Sequence, residues 1–207
     1  MNKQNIYHYL NIQGVVDQKT DQLIDECIKE VLDIALFKVV SQKFILKHNP
    51  LQIEHIHLVS QDLQLYFKDC DECLVVACTL GVQIDRKIKY YEHIDMSKAV
   101  VFDAVSNAYL EECQDEYEKS LHLGKHTFRF APGYGDIPLS LNYELARVLQ
   151  IDKKIGVSIN ENHLFLPMKS MLGIIGLGKD VKKTCLSCIR ENQCELRKRG
   201  LTCYVKD

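Results

Sequence analysis

Residues 129–138 read Arg-Phe-Ala-Pro-Gly-Tyr-Gly-Asp-Ile-Pro, two glycines and two prolines in ten positions. Pro132 presets its own φ at about −65°, and Gly133 and Gly135 can enter left-handed or close-approach conformations closed to other residues. The run Thr127-Phe128-Arg129-Phe130 reads as a short strand with Arg129 near its end. A rigid turn carrying an arginine suits a small-molecule carboxylate. The guanidinium fork grips it in two places, and bare backbone amides close round the rest. The same composition also makes an ordinary surface turn with a solvated arginine, because Pro-Gly pairs mark turns of every kind. Local composition leaves both readings standing.

Working outward, the chain mixes helices and strands. Leu23, Ile24, Cys27, Ile28, Val31 and Leu32 recur at helical spacing, which predicts an amphipathic helix over residues 18–36. Strand-like runs follow at Phe37–Leu46 and Gln52–Val59, with Asn49-Pro50 as a hairpin-like turn. Leu74–Thr79 reads as a short buried strand, and residues 97–121 as a long helix with Phe102, Val105, Tyr109 and Cys113 on one face. After the Arg129 turn come a helix at residues 139–149 and strands at 155–159, 163–166 and 173–177. Hairpin-length links favour antiparallel pairing, so the fold class is α+β.

A chain of 207 residues, 46% apolar and 26% charged, is ordinary for a globular protein. A net charge of −2 argues against a nucleic-acid binder, which would carry a strongly basic face. From Lys179 to Asp207 eight Lys or Arg stand against four Asp or Glu, a net of +4, which leaves −6 on residues 1–178. That shift marks a basic tail, either solvated or facing an acidic partner. The start leads into no apolar export signal and no run approaches the ~18 apolar residues of a membrane helix. Nine cysteines, an odd number, without such a signal point to the reducing cytoplasm.

Three further features invite chemistry. Asp103, Asn107 and Glu111 lie four apart on one stripe of the long helix, either a solvated edge or a face for a ligand's cationic groups. Gly173-Ile174-Ile175-Gly176-Leu177-Gly178-Lys179-Asp180 meets the phosphate-loop pattern until Asp180 stands where Ser or Thr must hold magnesium. It reads as a strand and turn. Cys185, Cys188, Cys194 and Cys203 form a four-thiolate set in the tail, suited either to zinc or an iron–sulfur cluster, or to redox or unliganded thiols. Cys27, Cys78 and Cys113 read as small core residues, and Cys70 with Cys73, just before a buried strand, as structural.

The segment Arg129–Tyr134, with its Arg-x-x-Pro-Gly-Tyr pattern, resembles the motif of the activation domain of cobalamin-dependent methionine synthase. The likeness continues through Gly135-Asp136-Ile137-Pro138-Leu139, and again at Leu166-Pro167-Met168-Lys169-Ser170-Met171-Leu172-Gly173-Ile174-Ile175-Gly176, similar to the family's later Pro-x-x-Ser-x-x-Gly element. Tyr9–Gly14 and Ala77–Gly81 are similar to segments of stand-alone bacterial versions of that domain. Together these elements span residues 6–178 in the family's order.

The resemblance implies a twisted antiparallel sheet flanked by helices, an S-adenosylmethionine-binding domain over residues 1–178, and a basic cysteine-rich tail over 179–207. It implies that Arg129 pairs with the aminoacyl carboxylate, while backbone groups at Ala131 and Gly133, with Tyr134, hold the adenosine and chain. The family uses a glutamate on the long helix; register places Asn107 there and Glu111 one turn further on. The implied activity is reactivation of oxidised cobalamin, with S-adenosylmethionine giving the methyl group and a flavodoxin-like or other donor the electron. No Asp-x-His-x-x-Gly cobalamin-binding motif occurs, so cobalamin is expected on a separate methionine synthase polypeptide. Two other functions stay open: a metal- or cluster-bearing electron-transfer protein acting through the tail, and an S-adenosylmethionine-binding module of another corrinoid methyltransferase.

Overall fold

The computed structural model describes residues 1–12 and 14–179, together with Lys198 and Gly200. In chain order come α1 (Lys3–Tyr9), α2 (Gln18–Ile34), β1 (Lys38–Lys47), β2 (Gln52–Ile53), β3 (Ile56–His57), α3 (Gln61–Phe67) and β4 (Glu72–Thr79). They are followed by α4 (Val82–Ile94), α5 (Met96–Ser120), α6 (Leu141–Leu149), α7 (Ile151–Lys154), β5 (Ser158–Ile159), β6 (Phe165–Leu166) and β7 (Ser170–Leu177). Five strands form one sheet in the order β3-β2-β1-β4-β7, and β5 pairs with β6 apart from it. Leu46 stands opposite Ile53, and Ile53 opposite Ile56, both antiparallel. The amides of Leu36 and Leu46 donate to the carbonyls of Leu80 and Asp71, so β1 and β4 also run in opposite directions. The fold is α+β with a curled antiparallel sheet flanked by helices, as the sequence leads one to expect.

The chain divides into two compact units. The first comprises Met1–Val40, Ala77–His122 and Gln150–Met171; the second comprises Ser41–Val76, Leu123–Leu149 and the residues from Leu172.

In the first unit α1, α2, α4 and α5 pack on one another. Asp17 accepts from the Thr20 amide at 3.0 Å and Asp95 from the Lys98 amide at 3.0 Å, which satisfies first-turn donors of α2 and α5. Ile24, Cys27 and Val31 recur at the spacing of one helix face and are buried, with Ile84, Ile88 and Phe102, in a single apolar cluster. A polar knot ties three helices at the edge of this cluster. Glu30 of α2 accepts from Lys98 Nζ of α5 at 2.6 Å and from the Tyr91 hydroxyl of α4. Lys98 Nζ also sits 4.9 Å from the centroid of the Tyr91 ring. Burial and the Glu30 carboxylate push the Tyr91 hydroxyl above its ordinary value.

The second unit holds most of β1, β4 and β7 with α3 and α6. Two of its features were invisible to periodicity. The run read as a strand at 52–59 is the β2–β3 hairpin, and α3 follows it at once, started by Ser60, whose hydroxyl accepts from the Leu63 amide at 3.0 Å. The run at 127–130 forms only isolated bridges, His126 with Leu177 and Phe130 with Ile174. In the first unit, α4 stands where no element is expected from the sequence, and the strand expected at 155–159 shortens to β5 because Ile155 caps α7 and Gly156 takes φ +73°.

No helix among the described residues is long and apolar enough to cross a membrane. Cys27, Cys70, Cys73 and Cys78 are buried as core residues, while Cys113 is half-buried. Burial pushes the Cys27 and Cys73 thiols up to about 12.

Phe102 is fully buried, 5.6 Å from the Tyr91 ring centroid. Phe102→Ala should therefore cost about 3–5 kcal/mol through lost transfer energy and a residual cavity. Denaturant unfolding measures it, and a loss under about 1 kcal/mol would contradict this packing.

Candidate ligand-binding site

In the second unit the edge of β7 is lined by residues 125–130. Phe130 and Ile174 exchange both backbone hydrogen bonds, at 2.9 and 2.8 Å. The Thr127 amide donates to the Gly176 carbonyl at 2.9 Å, and the Gly176 amide returns a bond to Thr127 Oγ1 at 3.0 Å. Between these anchors stands Arg129, half-buried, with its aliphatic stem against Gly173 of β7. On either side of it Phe128 and Phe130 meet α3: ring centroids lie 5.7 Å from Phe128 to Tyr66 and 5.5 Å from Phe130 to Phe67.

The turn then closes on itself. Ala131 O accepts from the Tyr134 amide at 3.0 Å, Tyr134 O from Ile137 at 3.0 Å, and Ile137 O from Gly133 at 2.8 Å. Gly133 and Gly135 take φ of +89° and +59°, so the two glycines supply the conformations their type permits. Pro132 is buried, Ala131 and Tyr134 are half-buried, and Gly133 is exposed. The Gly133 amide is thus committed to Ile137 and is not a bare donor. What Gly133 offers is an uncovered backbone surface. A side chain there would come within 3.1 Å of Leu139 Cδ1 and would carry the strain of a left-handed φ, about 1–2 kcal/mol.

Asp136, inside the quoted motif but given no role by the sequence, latches this turn to α3. Its carboxylate accepts from Ser60 Oγ at 2.5 Å, from the Gln61 amide at 2.6 Å and from the Asp62 amide at 3.4 Å. Burial alone would push the Asp136 carboxyl up, but these donors outweigh it and hold it below the ordinary carboxylate value. Burial and then the Asp136 charge push Asp62 the other way. The signal that could have located this latch is Ser60 before Gln61-Asp62-Leu63, an N-cap residue followed by an acidic first turn.

In the first unit the stripe on α5 is already occupied. Lys169, only 8% exposed, places Nζ 2.6 Å from Asp103 Oδ1 and 2.8 Å from Asn107 Oδ1. Asn107 in turn donates to Asp103 at 3.1 Å. The cation that Asp103 and Asn107 face is therefore the protein's own. Asp85 of α4 holds the same turn from behind, accepting from the Met168 amide at 2.6 Å. Glu111 is half-buried, and its side chain makes no hydrogen bond or ion pair among the described residues. Asp103 and Asn107 also line a surface cavity of about 240 Å³ with Tyr9, Leu10, Met96 and Val100.

No group of His, Cys, Asp or Glu placed to hold a metal occurs among the described residues. Cys185, Cys188, Cys194 and Cys203, the candidate metal ligands, lie outside those residues.

Asp136 gives a pH-dependent test. Its native pKa is depressed, so its stabilising contribution is present above the unfolded value of about 3.9 and lost as pH falls through the native one. Asp136→Asn should lower stability at neutral pH by about 1–3 kcal/mol. The gap between parent and variant should close on acidification below the native pKa. Parallel stability curves down to acid would show that the carboxylate carries no such linkage.

No protein-family model matches the chain, and no curated protein matches it in sequence. Its fold does match a crystal structure of the MetH reactivation domain bound to AdoHcy, with a TM-score of 0.66 at 14% identity. The match covers 96% of this chain and 83% of that one. The chain has the fold of the methionine synthase reactivation domain.

Proposed function

We propose that this protein binds S-adenosylmethionine and serves as the reactivation module of a separate cobalamin-dependent methionine synthase. The observation that carries the reading is the Arg129–Ile137 turn, fixed at both ends and presenting an arginine on a chain with the fold of a domain bound to AdoHcy. AdoHcy is S-adenosylmethionine without its methyl group, so a site for one is shaped for the other.

In this reading the Arg129 guanidinium takes the aminoacyl carboxylate in a charge-assisted bidentate contact. Ala131 and the uncovered backbone at Gly133, with Tyr134, hold the adenosine and the amino-acid chain. Lys169 already occupies Asp103 and Asn107, so neither faces the ligand's cationic groups. The chain's contribution is position: it binds the ligand and orients the sulfonium methyl, which converts a bimolecular encounter into a guided one. Cobalamin would be held by the partner polypeptide and, given one electron by a flavodoxin-like or other donor, would provide the nucleophile for the methyl group, with AdoHcy as the leaving group. Residues 1–178 form the binding domain and 179–207 a separable tail, in a cytoplasmic protein.

The test is calorimetric titration with S-adenosylmethionine and with AdoHcy. Arg129→Ala should lose about 2–4 kcal/mol of binding for both, because both carry the carboxylate. Unchanged affinity would remove Arg129 from the site, and no binding by the parent protein would remove the function.

Separability has its own test. A chain ending at Lys182 should keep its affinity for S-adenosylmethionine, since truncation is tolerated where little core apolar surface is lost. It should lose part of its reactivation of the methionine synthase partner, scored as methylated cobalamin formed. An unfolded or non-binding truncated chain would show that the tail belongs to the binding domain.

A further inference from the structure

Glycine weakens a strand, because it has no side chain to pack and loses the most backbone freedom on folding. Gly173 stands inside β7 and is buried. It is not there for its backbone, since its φ is not among the positive values that glycine alone adopts readily. The space beside it supplies the reason. A Cβ at 173 would lie 2.4 Å from Arg129 Cγ and 2.7 Å from Arg129 Cδ, closer than any real contact, with the Phe130 carbonyl at 3.1 Å. Gly176, three residues on, faces a different neighbourhood, the Cys70 thiol and the Phe67 ring, each 2.9 Å from where its Cβ would be. One glycine of β7 therefore clears room for core packing, and the other clears room for a single side chain.

We infer that Gly173 is the positioning residue for Arg129: its missing side chain leaves a slot in β7 in which the arginine stem lies, setting where the guanidinium meets the carboxylate of the bound ligand. The inference rests on the reading of Arg129 as the carboxylate anchor. An arginine stem held in a slot has fewer rotamers to give up on binding, so the slot raises affinity without touching the ligand. Alanine fits the strand's φ at 173, so its effect falls chiefly on Arg129, whose stem must leave the slot, with a smaller push of a few tenths of an ångström on the Phe130 carbonyl in either background.

A double-mutant cycle over Gly173→Ala and Arg129→Ala tests this, with AdoHcy as the calorimetric probe and thermal unfolding measured on all four proteins. Gly173→Ala should weaken AdoHcy binding tenfold or more in the parent and leave the residual binding of Arg129→Ala unchanged. It should also lower the Tm in the parent and do so much less once the Arg129 side chain is gone. An equal loss in both backgrounds, or none in either, overturns the role of Gly173 while leaving the proposed function in place. If the parent fails to bind AdoHcy, the proposed function fails instead, and the unfolding cycle still decides the slot. A Gly173→Ala protein that cannot fold alone but folds with Arg129→Ala supports the slot; one that unfolds in both backgrounds overturns it.

Discussion

The reciprocal pair of backbone hydrogen bonds between Phe130 and Ile174 is the constraint on which the site depends. β7 ends the strand order of the main sheet, and its edge would otherwise present unpaired amides and carbonyls. Residues 125–130 satisfy part of that edge, and in doing so they fix the plane of the chain on both sides of Arg129. Once Phe130 is fixed, the turn cannot begin anywhere else. Pro132 limits its path, Gly133 and Gly135 supply the two left-handed positions, and Asp136 ties its far end to α3. The same short helix holds Phe128 and Phe130 through Tyr66 and Phe67, so one element grips the segment before and after the arginine. In the proposed function, a turn on so rigid a support loses little conformational freedom when the ligand arrives.

Much of this was legible in the sequence, and the parts that were not have physical reasons. The turn could be read because glycine and proline act on their own backbone, whatever surrounds them. Helices α2 and α5 could be read because their apolar residues recur over many turns. Helix α3 is too short for any period to show, although Ser60 announces its start. Helix α4 hides a carboxylate, Asp85, on its buried side next to Ile84, which breaks the pattern that would have revealed it. At the site, the spacing of Asp103, Asn107 and Glu111 showed that they share a stripe but not what meets it. Lys169 lies 62 residues from Asn107 in the chain, and a lysine in Leu-Pro-Met-Lys-Ser reads as solvated until the fold buries it. The role of Gly173 was out of reach for the same reason, because a slot exists only once its occupant is placed.

Lys169 is held at every polar atom. Its ammonium pairs with Asp103 and Asn107, its amide faces Asp85, and its carbonyl accepts from the Leu80 amide. Only the lysine is buried, since the Asp103 side chain is 41% exposed, so losing Asp103 leaves a buried ammonium with Asn107 alone, whereas losing Lys169 returns Asp103 to water. The dependence is therefore one-sided. Lys169 can be lost without stranding a charge, but Asp103 changes at a cost while the buried lysine stays. Descendant sequences should give up the lysine before the aspartate, an ordered covariation between a helix and a distant strand entrance that no local pattern would explain.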